Sequence, residues 1–157
     1  MSDFKVVTQK PTTPDTYDLE MESLEPIGAK IIEIPANTEE EFIKAAHDAD
    51  AIMARGRRIT KEIIDNAENC KIIALGSVGA DSVDVEAATQ RNIPVTNAPD
   101  IFIEEVADHT IMMILATYRR FKIMDQMVRE ARWSEGRPML YHFPRLMGQT
   151  LGLISFG

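Results

Sequence analysis

Over residues 1–100 the sequence predicts a doubly wound α/β fold, a parallel sheet with helices on both faces. Three observations predict it. Short β-branched runs alternate five times with segments of helical periodicity, the connections are only a few residues long, and one strand-like run leads straight into the glycine turn Gly76-Ser77-Val78-Gly79. Strands separated by helices run parallel, and ligands of such sheets bind outside the carboxyl ends of the strands.

Phe4 to Thr8 reads as the first strand. Thr16 to Ile27 follows with Tyr17, Leu19, Leu24 and Ile27 at roughly helical spacing, and Gly28 is placed to stop it. Lys30 to Ile34 is the second strand. Thr38 and Glu41 form a capping box that starts a helix through Ala46. Asp50 to Ala54 is the third strand, and Thr60 caps a helix over Lys61 to Asn69. Lys71 to Leu75 is the fourth strand. A helix over Val83 to Arg91, a strand over Ile93 to Thr96 and the break at Pro99 complete the alternation.

From Ile103 the pattern changes. Apolar residues from Ile103 through Val106, Ile111, Ile114, Tyr118, Phe121 and Met124 to Val128 recur at mostly three- and four-residue spacing, which predicts one helix to Arg132. At 1.5 Å per residue it would be roughly 45 Å long and would leave its own domain. Residues 133–148, with Gly136, Pro138 and Pro144, read as a crossing loop, and Thr150 to Ser155 as a buried strand that begins a further unit.

Composition narrows the function classes. A chain of 157 residues that is 45% hydrophobic has an ordinary soluble composition, and its net charge of −8 disfavours nucleic acid or an anionic membrane as a partner. No window reaches the ~18 uninterrupted apolar residues of a membrane span. One cysteine, Cys70, permits no internal disulfide and points to a reducing, cytoplasmic location.

The chemistry is expected at the strand ends. The turn Gly76–Gly79 can bring backbone N–H groups close to an anion such as a carboxylate, or it can be an ordinary tight turn. Arg55, on the same edge, can grip a carboxylate bidentately or be a surface arginine. At the end of the chain, a strand running into Ser155-Phe156-Gly157 has the form of the front half of a dinucleotide-binding turn. His109 lies on the long helix and reads as structural, and His47 and His142 as surface residues. Asp81 and Asp84 flank a helix start and read as caps. The methionines, among them Met112, Met113, Met124 and Met127, read as packing on the long helix. A phosphoacceptor signalling module is excluded, because Gln9-Lys10 and Arg55-Gly56 stand where its acidic residues belong.

The stretch from Lys71 to Arg120 resembles the substrate-domain signature of D-isomer-specific 2-hydroxyacid dehydrogenases: a GxGxDNxD-type loop, a helix, IPVxN with a proline, and the helix start Glu105-Val106-Ala107-Asp108-His109-Thr110. The likeness continues through Met147 to Gly157. Thr117-Tyr118-Arg119-Arg120 and the segment from Thr16 to Ala29 further resemble the C-terminal-binding-protein-like branch, whose corepressor role offers a non-catalytic alternative. A truncated product is another.

The resemblance implies a flavodoxin-like substrate-binding domain over residues 1–100, an interdomain and dimerisation helix over 101–132, a crossing loop over 133–148 and the start of an NAD-binding domain at 149–157. It implies hydride transfer between NAD(H) and a 2-hydroxy or 2-keto acid in a homodimer joined through the long helix. Arg55, Val78 and Gly79 would contact substrate, and Val78, Thr110, Ser155 and Gly157 the cofactor. The Arg, Glu and His that do the chemistry would follow Gly157, so the chain alone is expected to be inactive. Three departures bear on the substrate: serine at Ser77 where the family has glycine, Ser82 for asparagine, and Leu75 for an arginine. Ser155 departs likewise in the cofactor turn.

Overall fold

The computed structural model describes residues 4–14 and 16–154. It contains a sheet of five parallel strands, β1 (Phe4–Gln9), β2 (Ala29–Ile34), β3 (Ala51–Met53), β4 (Ile72–Ala74) and β5 (Val95–Thr96), in the order β2-β1-β3-β4-β5. Between them run α1 (Asp18–Leu24) with a 3-10 turn (Glu25–Ile27), α2 (Glu39–Ala46), α3 (Lys61–Asn66) and α4 (Val85–Gln90). This is the flavodoxin-like order, and its direction reverses between β1 and β3. The predicted fold class of residues 1–100 is therefore the observed one, with each strand and helix of that stretch within a few residues of its expected bounds.

The local signals act as the sequence predicts. Gly28 ends the 3-10 turn at φ 72°. Thr38 Oγ1 accepts from Glu41 N–H while the Glu41 carboxylate takes the N–H groups of Asn37 and Thr38. Those amide bonds, with a smaller pull from Arg57, hold the Glu41 carboxyl below the usual range. Thr60 caps α3 through Ile63 N–H, and Asp84 caps α4 through Ala87 N–H. Asp81 was expected to cap as well, but it is exposed and makes no cap bond; one side chain suffices for the N3 amide, and Asp84 is the residue in cap position.

Strand alternation divides the core. Val7, Ile52 and Ile73 point to one face and pack with Phe42, Ile63, Ile64, Ala87 and Ala88 from α2, α3 and α4. Val6, Ala51 and Met53 point to the other and pack with Tyr17, Met21 and Leu24 beside α1. Cys70 is buried and free, and burial raises its thiol pKa, as befits a small hydrophobe.

The chain forms two compact units, Met1–Phe102 and Ile103–Gly157. In the second, the single long helix of the sequence reading is two: α5 (Ile103–Tyr118) and α6 (Phe121–Arg129). Arg120 breaks it by adopting a left-handed conformation, φ 50° and ψ 41°, with its guanidinium over Phe143 at 4.9 Å. A single left-handed residue leaves the apolar spacing intact, so the periodicity passes through the break unmarked. The break lets Met124 bury against Gly136, where an added Cβ would lie 2.5 Å from Met127 Sδ.

The crossing loop is largely helical: α7 (Trp133–Gly136) and a 3-10 segment (Arg137–His142) occupy it. The strand expected over Thr150 to Ser155 is absent from its described part, 150–154. A strand exists by pairing, and among the described residues nothing pairs with this segment, whose Leu151, Leu153 and Ile154 are exposed.

Candidate functional site

The carboxyl edge of the sheet gathers the candidates of the first unit. Its ladder extends past the strands: Lys10 N–H donates to Ile34 O, Ala54 N–H to Ala74 O, and Leu75 N–H to Thr96 O. Beyond these bonds the chain leaves the sheet as loops at β1, β3 and β4. An isolated parallel bridge between Ile59 and Val83, with Ile59 N–H donating to Ser82 O and Asp84 N–H to Ile59 O, ties the loop after β3 to the loop after β4.

The β4 loop is held by its carbonyls. Ser77 O accepts from Ala98 N–H at 3.0 Å, Val78 O from Asn97 Nδ2 at 2.6 Å, and Gly79 O from the Ser77 hydroxyl at 2.9 Å. The N–H groups of Gly76, Ser77, Val78 and Gly79 donate to no acceptor among the described residues. With these carbonyls anchored, the amides of the exposed loop are left to solvent or to a ligand, and the Asp81 carboxylate lies beside Gly79. Ser77, a departure from the family pattern, thus stiffens the loop. Leu75, another departure, is buried in the core, so β4 ends without a cation.

Arg55 leaves β3 exposed, ion-paired to Glu20 at 3.2 Å and lying 5.7 Å from the centre of the Tyr17 ring. Tyr17 is itself buried, and its hydroxyl donates to Glu33. Across the carboxyl ends of β2, β1 and β3, beside the point where the strand order reverses, opens a cleft of about 560 Å³ that Arg55 shares with Gln9, Lys10, Asn37, Gly56 and Arg57. Arg57 is the residue sequence reading passed over. Its Nε donates to Gln9 Oε1 at 2.7 Å, its Nη2 to Ala36 O at 2.9 Å, and its guanidinium stacks 5.3 Å from the centre of the buried Phe42 ring. The signal in the sequence that distinguishes Arg57 is Gln9, at the end of the neighbouring strand.

In the second unit, Thr110 is exposed on α5, and its hydroxyl donates to Val106 O, which leaves its lone pairs open to a donor. His109 and His142 are exposed, as is His47, whose ring meets Asn66 O. Ser155 and Gly157 lie outside the described residues. Among the described residues no helix is long and apolar enough to cross a membrane.

The family model for "D-isomer specific 2-hydroxyacid dehydrogenase, catalytic domain" matches residues 12–150. The chain belongs to the D-isomer specific 2-hydroxyacid dehydrogenases. Two curated members of that dehydrogenase family are each 36% identical to it: a glyoxylate reductase of Pyrococcus furiosus over 123 residues, 75% of this chain and 37% of the relative, and a D-3-phosphoglycerate dehydrogenase of Methanocaldococcus jannaschii over 121 residues, 76% of this chain and 22% of the relative. A crystal structure of NAD+-bound 3-phosphoglycerate dehydrogenase from Entamoeba histolytica superposes with a TM-score of 0.63 at 30% identity, over 75% of this chain and 40% of that one. The chain thus spans well under half the length of the dehydrogenases it matches.

Proposed function

We propose that this chain is the substrate-binding part of an oxidoreductase that moves hydride between NAD(H) and a 2-hydroxy or 2-keto acid. The observation that carries the reading is the β4 loop, where four consecutive amides have no acceptor among the described residues while three carbonyls are tied down. A planar carboxylate accepts two or more such N–H bonds without any side-chain charge, and Arg55 on the next strand end adds a guanidinium. Arg55, Val78 and Gly79 are the substrate-side residues of this reading. The names of the relatives, glyoxylate reductase and D-3-phosphoglycerate dehydrogenase, support a substrate among small 2-keto and 2-hydroxy acids.

NAD(H) supplies the hydride when bound. For it, this chain offers Val78 within the carboxylate loop and Thr110, whose open lone pairs suit a carboxamide N–H donor. Ser155 and Gly157 complete the cofactor-side set. Residues 1–100 are the substrate-binding domain, 101–132 the interdomain and dimerisation segment, 133–148 the crossing segment, and 149–157 the start of the cofactor domain.

A homodimer through α5 belongs to the same proposal. No residue of α5 is buried, Ile103, Val106, Ile111, Met112 and Met113 are at least half exposed, and an apolar hollow of about 390 Å³ lies among Met112, Leu115, Ala116 and Phe121. The free thiol Cys70 suits a cytoplasmic location.

The reading is tested by assaying the 157-residue chain with NADH and a panel of 2-keto acids. The chain is expected to bind the acids and turn none over. Turnover by this chain would overturn the assignment of catalysis to residues outside it.

A further inference from the structure

Arg55 is held by α1. Its Nη1 lies 3.2 Å from Glu20 Oε1, in the first turn of that helix, and its guanidinium lies 5.7 Å from the centre of the Tyr17 ring. Tyr17 packs among Val6, Ala51 and Met53, on the sheet face that α1 covers, and its hydroxyl is fixed on Glu33. The cleft that Arg55 lines takes residues from the ends of β2, β1 and β3 and none from Gly76–Gly79. The guanidinium is thus drawn toward α1, while the loop it serves in the proposed function stands on β4.

The local chain builds this arrangement. Tyr17 precedes α1 in a left-handed conformation, φ 54°, which is costly for tyrosine and is kept only where surrounding contacts outweigh it. Its carbonyl accepts the Met21 N–H, so the helix starts at once. Residues three apart share a helix side, and Glu20 therefore rises beside Tyr17 where Arg55 arrives from β3.

Glu20 offers Arg55 the same chemical group that a 2-keto acid would. A guanidinium engaged by one carboxylate attracts a second less strongly, because its charge is already partly offset. The pair is also replaceable. The Arg55 and Glu20 side chains are 42% and 33% exposed, so water screens their attraction. Neighbouring strand ends lie about 4.8 Å apart, and an arginine side chain of six bonds of about 1.5 Å crosses that distance without backbone movement.

We propose that Glu20 is an internal competitor for substrate: its carboxylate holds Arg55 against Tyr17, and a 2-keto acid on the β4 loop must displace it to recruit the guanidinium. This rests on the proposed function, in which Arg55 stands on the substrate side, and adds to it the residue that sets the affinity.

The test titrates the isotopically labelled 157-residue chain with glyoxylate, following affinity, backbone amides and the Arg55 side-chain Nε–H. That Nε–H and the amides from Tyr17 to Glu20 are expected to shift in step with Gly76–Gly79. Glu20→Gln is expected to tighten glyoxylate binding about three- to five-fold, the worth of one exposed ion pair. Glu22→Gln removes the same charge from the same helix at a residue with no ion pair among the described residues, and should change affinity by less than about 1.5-fold. Arg55→Met should weaken binding, and adding Glu20→Gln to it should change nothing further. No residue of α1 is buried, so Glu20→Ala serves as a second variant with the same expected gain.

Glu20→Gln that leaves affinity unchanged or lowers it, while Arg55→Met weakens binding, overturns the competition and leaves the proposed function standing. A gain of equal size in Glu22→Gln, or one that persists beside Arg55→Met, traces the effect to general charge and also overturns it. Arg55→Met that binds glyoxylate as tightly as the parent removes Arg55 from the substrate side, and overturns that part of the proposed function together with the competition.

Discussion

Two glycines at strand ends allow a matched experiment. Gly56 follows Arg55 and Gly76 opens the β4 loop; an added methyl meets nothing within 4 Å at either, but Gly56 has φ +70° and Gly76 lies outside the left-handed region. Steric space is therefore equal and only backbone conformation differs. Alanine in the left-handed region costs about 1–2 kcal/mol. Against this, alanine restricts the unfolded chain and returns about 0.4–1 kcal/mol at any position. Gly56→Ala is thus expected to lose about 0.5–1 kcal/mol, and Gly76→Ala to gain about 0.5 kcal/mol. Urea denaturation of both variants beside the parent chain, with unchanged slope, measures the difference directly. Equal effects of the two substitutions, or a Gly76 variant less stable than the Gly56 variant, would refute the conformational argument.

Other expectations follow from the core and its edges. Ile52 is fully buried on the central strand β3, so Ile52→Ala should cost about 2–5 kcal/mol in chemical denaturation. Thr8 Oγ1 is buried without a hydrogen-bond partner among the described residues, so the near-isosteric Thr8→Val should stabilise the fold by about 1 kcal/mol, and a loss of that size would reveal an unseen partner. The Lys5 amide, and after it the Lys71 ammonium, hold the Asp50 carboxyl below its ordinary value. A depressed folded value means that this stabilisation is present above the unfolded carboxylate value near 3.9 and is lost as pH falls through the folded value. Asp50→Asn should therefore flatten the acid limb of stability below about pH 4, and an unchanged limb would show that Asp50 contributes nothing to it.

The sheet was legible because its signals are local. Thr38 with Glu41, Thr60, Asp84 and Gly28 mark helix ends within one turn, and the β-branched runs between them are short enough to leave one topology class. The break at Arg120 was not legible. It contains neither glycine nor proline, and what stabilises it is remote in sequence: Phe143 under the guanidinium and Gly136 against Met124. The missing strand over 150–154 has the same origin, since a strand is decided by its neighbours and an apolar run alone does not supply them. Of the site, Arg55 and the Gly76–Gly79 turn were visible as residue types at strand ends. Arg57 was not, because its role depends on Gln9 and Ala36, 48 and 21 residues away in sequence.

The central claim is that the free amides of the β4 loop receive the carboxylate of a 2-keto acid. The most direct measurement is a glyoxylate titration of the isotopically labelled chain, with each backbone amide followed by its chemical shift. The expected result is saturable change concentrated at Gly76, Ser77, Val78 and Gly79, with the Arg55 side chain responding alongside. Change that is uniform over the surface, or that leaves those four amides still while other residues respond, would contradict the claim.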